Sequence, residues 1–179
     1  MLKSGELNTR LIWFGTGSGA PPSWPKLGAL WAKLVAPKSA GRESQSSIYA
    51  SGTTFITIRP RPGILPGQLL KNGVDWYLIE DINPTPGELQ LVARKLAGEP
   101  AQYIPKGGEP YAISAWLAME NILVGARSEP RQQIDLILPE LVWPFARIGD
   151  QLAMRGSSYR IEGKVEGSDN GTTIRVMVS

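Results

Sequence analysis

Short apolar stretches divided by prolines and glycines run the length of the chain, and most of them alternate with a period of two. In "GALWAKLVAP", Leu30, Ala32 and Leu34 alternate with Trp31, Lys33 and Val35, and in "TTFITIR" Phe55, Ile56 and Ile58 stand among threonines. Such alternation turns one row of side chains inward and the other toward water, which predicts strands. "TRLIWFG" (Thr9–Gly15), "DWYLIEDI" and "GELQLVARK" are three more, the last two joined by "NPTPG" as a hairpin. The pattern restarts after "LAGEPAQYIPKGGEP" (Leu96–Pro110), which reads as a junction between domains 1–97 and 98–179. "YAISAWLAM" (Tyr111–Met119) puts Ile113, Ala115, Leu117 and Met119 on one face of a strand, with an amphipathic helix as the competing reading. "RQQIDLILPE", "DQLAMRG", "SSYRIEGKV" and "TTIRVMVS" complete the second set, the last after Asp169, Asn170 and Gly171, residue types that tolerate positive φ in a hairpin turn. The expectation is a mainly all-β chain: two tandem small β-barrel or sandwich domains with long loops and little helix.

The two halves also repeat one another. The first runs "TFITIR", a proline-rich corner, "PGQLLKNG", "VDWYLIEDI", a turn and "ELQLVAR"; the second runs "QIDLIL", "PELVWPFARI", "GDQLAMRG", "SSYRIEGKV", a turn and "TTIRVMV". Allowing one inserted residue, Gly67 aligns with Gly149, Leu70 with Leu152, Gly73 with Gly156, Trp76 with Tyr159 and Leu78 with Ile161. Each copy delivers a stiff corner to a short strand, which a glycine turn then reverses.

Composition narrows the chemistry. Of 179 residues, 42% are hydrophobic and 20% charged, a balance that supports a buried core rather than disorder. There is no cysteine and no histidine, so disulfides, thiolate zinc sites and the commonest general base are all excluded. Carboxylate, serine–lysine or magnesium chemistry would remain, but no constellation for it stands out; the expectation is a protein that is not an enzyme and takes no cofactor or metal. No apolar run approaches the roughly 20 residues of a membrane span, and "MLKSGELNTR" lacks the apolar block of a signal peptide, which together predict a soluble, cytoplasmic chain without a membrane partner. The net charge of +3 divides unevenly: residues 1–97 carry eleven Lys and Arg against six Asp and Glu, and residues 98–179 carry eight against ten.

Residues from about Trp24 to Lys95 resemble the tailed-bacteriophage head–tail adaptor family, also called head-closure or stopper proteins. The resemblance is carried by "LWAKLVAPKSAGRESQSSIYASGTTFITIRPRPGILPGQLLKNGVDWYLIEDINP": a W-A-x-L strand, an S-x-G-R-E loop, an alternating strand ending in I-R-x-R-P-G-I, and an aromatic-x-aliphatic pair after two glycines. No piece is specific alone; the ordered set is. Through "RIGDQLAMRGSSYRIEGKV" the second half is similar, more weakly, to small phage head–tail attachment proteins. The resemblance implies a β-barrel subunit in a homo-oligomeric ring of the virion neck, assembled in the host cytoplasm. It implies a portal or adaptor protein on the head side, a tail terminator or tail tube protein on the tail side, and packaged DNA in the channel. The tandem arrangement departs from the single-domain family member. A tail terminator or other tail-junction ring is the alternative in the same setting, and a monomeric β-barrel module for nucleic acid or carbohydrate is the alternative from another class.

In the ring reading, Lys38, Ser39, Arg42, Glu43 and Gln45 in the polar loop 38–52 face the lumen or grip a neighbour, against the plainer reading of a solvated hairpin tip. Arg59 and Arg61 of "RPRPG" pair with a neighbouring subunit's carboxylates or face DNA phosphates. Trp24 and Trp143, each beside a proline in a connecting segment, are the aromatics expected at an interface, whereas Trp13 and Trp116 suit a core as well. "GTGSGAPP" imitates a nucleotide-binding turn, but its prolines oppose a following helix. Glu80 and Asp81, adjacent on a strand, point to opposite faces and form no dyad.

Overall fold

The computed structural model describes residues 6–35, 48, 53–124 and 127–179, with the backbone alone for 119–124 and 127–131. The chain is all-β and divides into two compact units, one built on residues up to Ala97 and one on Gly98–Ser179, with Gly19–Pro22 and Ile48 grouping with the second. The first holds β1 (Thr9–Phe14), β2 (Lys26–Val35), β3 (Thr54–Ile58), β4 (Leu69–Asn72), β5 (Asp75–Thr85) and β6 (Glu88–Leu96). The second holds β7 (Glu99–Ile104), β8 (Tyr111–Val124), β9 (Arg127–Ile137), β10 (Gln151–Met154), β11 (Ser157–Lys164) and β12 (Thr173–Val178), with a turn of 3₁₀ helix at Leu138–Glu140.

Each set closes into a barrel, and the strand order is the same: β1-β2-β3-β6-β5-β4 in the first, β7-β8-β9-β12-β11-β10 in the second. Closure leaves no unpaired edge within a barrel, which removes the main route by which sheets aggregate. The period-two pattern fills the interior. Leu11, Trp13, Leu30, Ala32, Ile56, Ile58, Leu70, Tyr77, Ile79, Leu91 and Ala93 form the first core. Tyr103, Ile113, Ala115, Ile134, Leu136, Leu152, Ile161 and Val176 are among the buried residues of the second.

Register extends the repeat to single residues. Trp13 pairs with Leu70 and Leu70 with Tyr77; Tyr103 pairs with Leu152 and Leu152 with Tyr159. A bulge interrupts β5 between Ile79 and Asp81 and β11 between Ile161 and Gly163, so Glu80 and Glu162 occupy the same irregular place. The equivalences differ by one residue from those read in the sequence: Tyr77, not Trp76, matches Tyr159, and Ile79, not Leu78, matches Ile161, with no insertion. Aligning Gly73 with Gly156 caused the slip. Both are in two-residue hairpin turns, but at different positions. Gly73 alone has positive φ in the first turn (57°), the pattern of a II′ turn, whereas Arg155 (52°) and Gly156 (77°) share it in the second, the pattern of I′.

Other readings are also resolved. "YAISAWLAM" is strand, part of β8, and "GTGSGAPP" is the antiparallel connection between β1 and β2, with a bridge between Ser18 and Ser23. The segment read as a junction contains β7, whose buried positions are Ala101 and Tyr103. Beyond the barrel, β8 and β9 continue to pair with each other from Glu120–Arg131 to Val124–Arg127, past the reach of β7 and β12.

Candidate assembly surface

The proline-rich corners between β3 and β4 and between β9 and β10 share one internal pin. After the corner glycine, Gly67 or Gly149, the next residue turns a polar side chain inward, Gln68 in one barrel and the fully buried Asp150 in the other. Gln68 Oε1 accepts the indole N–H of Trp13 (2.8 Å) and the backbone N–H of Leu65 (2.9 Å), while its Nε2 donates to the Gly63 carbonyl (3.1 Å). Asp150 accepts from the Tyr103 hydroxyl (2.5 Å) and from the backbone N–H groups of Lys106 (2.8 Å) and Arg147 (3.1 Å). The Tyr103 hydroxyl in turn accepts from the N–H of Ala146 (2.7 Å). Each pin thus joins the first strand of a barrel to its corner. Burial alone would raise the Asp150 pKa, but these three hydrogen bonds and the Arg147 guanidinium at 3.6 Å hold it below the ordinary carboxylate value. Burial and the same carboxylate push the Tyr103 phenol well up. Truncating Gln68 to alanine strands two donors in the first barrel, and we expect a loss of about 2 kcal/mol in urea unfolding of that barrel, with the second unaffected.

Pinned this way, the corners present apolar side chains outward. Leu65 is exposed on the first corner; Val142, Trp143 and Ile148 are exposed on the second. Tyr111 and Glu140 stiffen the second corner, accepting from the N–H groups of Val142 (3.1 Å) and Ser114 (2.5 Å). Trp143 meets Phe145 edge-on at 5.4 Å. On the outer face of β2 and β3, Trp31, Val35 and Phe55 are all exposed; Val35 is the direct register partner of Phe55, and the exposed Lys33 stands between Trp31 and Val35.

Of the other residues singled out in the sequence, Lys38, Ser39, Arg42, Glu43 and Gln45 lie outside the described residues. Ile48, from the same loop, is buried and donates its N–H to Asp135 Oδ2 (3.0 Å), a carboxylate that also holds Arg175 bidentately at 2.6 and 3.0 Å. Arg59 is exposed. Arg61 is engaged within its own barrel, donating to the Ala29 carbonyl (3.2 Å) with its guanidinium 5.5 Å from the Trp13 ring. Trp24 is half-buried against Gly17, where a Cβ would meet its ring at 2.7 Å. Glu80 pairs with Arg94 at 2.8 Å, and Asp81 accepts from the neighbouring N–H of Ile82, so the two do not act together.

Sequence reasoning did not single out an open groove of about 560 Å³ on the outside of the second barrel. Its floor is one cross-strand row, Ala112, Gln102, Ala153 and Ser158, with Arg155 at the rim. The signal was there only in comparison: the equivalent row of the first barrel is Ala29, Ile12, Lys71 and Trp76. There the Trp76 ring is buried, with Lys71 Nζ 4.5 Å and Phe14 5.1 Å from its centroid. Smaller residues leave the same place open in the second barrel.

Among the described residues, no helix is long and apolar enough to cross a membrane and no three acidic side chains gather as a metal site. No protein-family model, no curated protein and no solved structure matches the chain.

Proposed function

We propose that the chain is a structural connector of a tailed-phage neck, a homo-oligomeric ring that joins the portal side of the head to the tail and retains packaged DNA. The observation that carries the reading is that large apolar side chains stand exposed on both barrels, Trp31, Val35 and Phe55 on the first, and Val142, Trp143 and Ile148 on the second. A ring needs heterologous contacts, in which one face of a subunit meets a different face of the next, and a chain whose two barrels expose apolar side chains on unlike faces suits that geometry. The order of parts over the first half resembles the head-closure family. A monomeric binding module for nucleic acid or carbohydrate would gather its aromatics on one basic face, and here the exposed tryptophans are divided between the barrels.

The role is mechanical. Rigid barrels hold the interface residues in place, and the buried pins keep the corners from moving when load passes along the tail axis. Negative-stain images of the chain mixed with the portal or tail-completion protein encoded beside it should show annular particles. Unassembled chain in every such mixture would overturn the reading.

A further inference from the structure

We propose that the groove on the second barrel seats Trp31 of a second copy of the chain, so that each contact in the ring joins the first barrel of one subunit to the second barrel of the next. The inference rests on the ring reading and names the contact that would build it.

The chain supplies its own template for the occupant. In the first barrel the equivalent row is covered by an indole, Trp76, lying beneath a cation, Lys71. The groove offers the same chemistry with the indole missing. Ala112 and Ala153 give a flat floor, and Gln102 and Ser158 supply acceptors for an indole N–H. Arg155 supplies a planar cation, and Glu99 holds its guanidinium by two hydrogen bonds, one from Nε at 2.6 Å and one from Nη2. A guanidinium fixed this way is set to stack on an aromatic face without further loss of freedom.

Trp31 is the tryptophan best placed to fill it. At 59% exposure it is the most exposed of the six, and it meets no other ring among the described residues, whereas Trp143 is already packed on Phe145. Charge favours the pairing. Arg10 is the register partner of Trp31 and Lys33 lies two residues along the same strand, both exposed, in the half with eleven basic and six acidic residues. The groove belongs to the half with eight basic and ten acidic residues. Halves of unlike net charge steer encounter toward first-to-second contacts and disfavour contacts between like halves, while at the groove itself Arg155 is paired with Glu99.

The test uses the full-length chain in sedimentation velocity, alone and with the neighbouring portal or tail-completion protein. Ser158→Trp puts into the second barrel the indole that the first carries at Trp76, closing the groove from within. Trp31→Ala removes the guest from an exposed position. Each variant should keep the thermal stability of the wild type and weaken chain–chain association about 100-fold, as loss of a central tryptophan does at an interface. A mixture separates this from general damage. The Ser158→Trp chain keeps its Trp31 and the Trp31→Ala chain keeps its groove, so mixing them should give a one-to-one dimer that grows no further. Rings formed by either variant as readily as by the wild type, or no dimer in the mixture, would overturn the groove assignment and leave the ring reading standing. A wild type that stays monomeric with every neighbour would overturn both.

Discussion

Replacing Asp150 by alanine should cost the second barrel about 3 kcal/mol or more at neutral pH, the largest effect expected of any single polar substitution here. The carboxylate is fully buried and is the acceptor for Tyr103 and for the N–H groups of Lys106 and Arg147. Its removal leaves three donors without that partner, the buried Tyr103 hydroxyl among them, and stranded buried donors cost more than the bonds themselves contribute. The effect should depend on pH. Because the folded-state pKa of Asp150 lies below its unfolded value, its stabilisation is complete above the ordinary aspartate pKa of about 3.9. It is lost as pH falls through the folded value. Urea unfolding of the wild type and the variant should therefore converge under acid, and a gap of constant size from neutral pH to pH about 2 would contradict the assignment. Gln68 occupies the same place in the first barrel and does not titrate, so that barrel should show no such dependence on its pin.

Leu70→Ala and Leu152→Ala should each cost about 2–5 kcal/mol, the range for emptying a fully buried leucine site, and each should act on its own barrel. The two leucines are equivalent by register, pairing with Trp13 and Tyr77 in one case and with Tyr103 and Tyr159 in the other. Hydrogen exchange resolves the effect by position. Protection should fall across β1 to β6 in the first variant and across β7 to β12 in the second. Equal loss across both barrels in either variant would show that the units do not behave as separate cores.

Much of this architecture was legible in the chain because a small barrel puts every other residue inside. Leu30, Ala32, Ile56 and Ile58 declare both strand and face, and Trp31 between two inward residues was already marked as outward. The exception is β7, where Pro100 and the small Ala101 weaken the alternation and Tyr103 carries the burial almost alone. The repeat was also visible, but its register was not. Glycines record where a turn needs positive φ, and II′ and I′ turns need it at different places, so matching glycine to glycine moved the alignment by one residue. The corner pins were hidden for another reason. A glutamine and an aspartate share no residue type, and only the fold brings one to Trp13 and the other to Tyr103. The groove is harder still to see, since it is defined by the bulk that Ala153 and Ser158 lack relative to Lys71 and Trp76.

The exposed apolar side chains on both barrels and the hydrogen-bonded corners suit the proposed assembly. The claim at the centre of this account is that copies of the chain assemble with one another. The measurement that tests it most directly is the mass of the purified chain by light scattering, alone and then mixed with the portal or tail-completion protein encoded beside its gene. The account predicts a closed species of fixed copy number in one of the two samples. A single-chain mass in both would contradict it and favour a monomeric binding module.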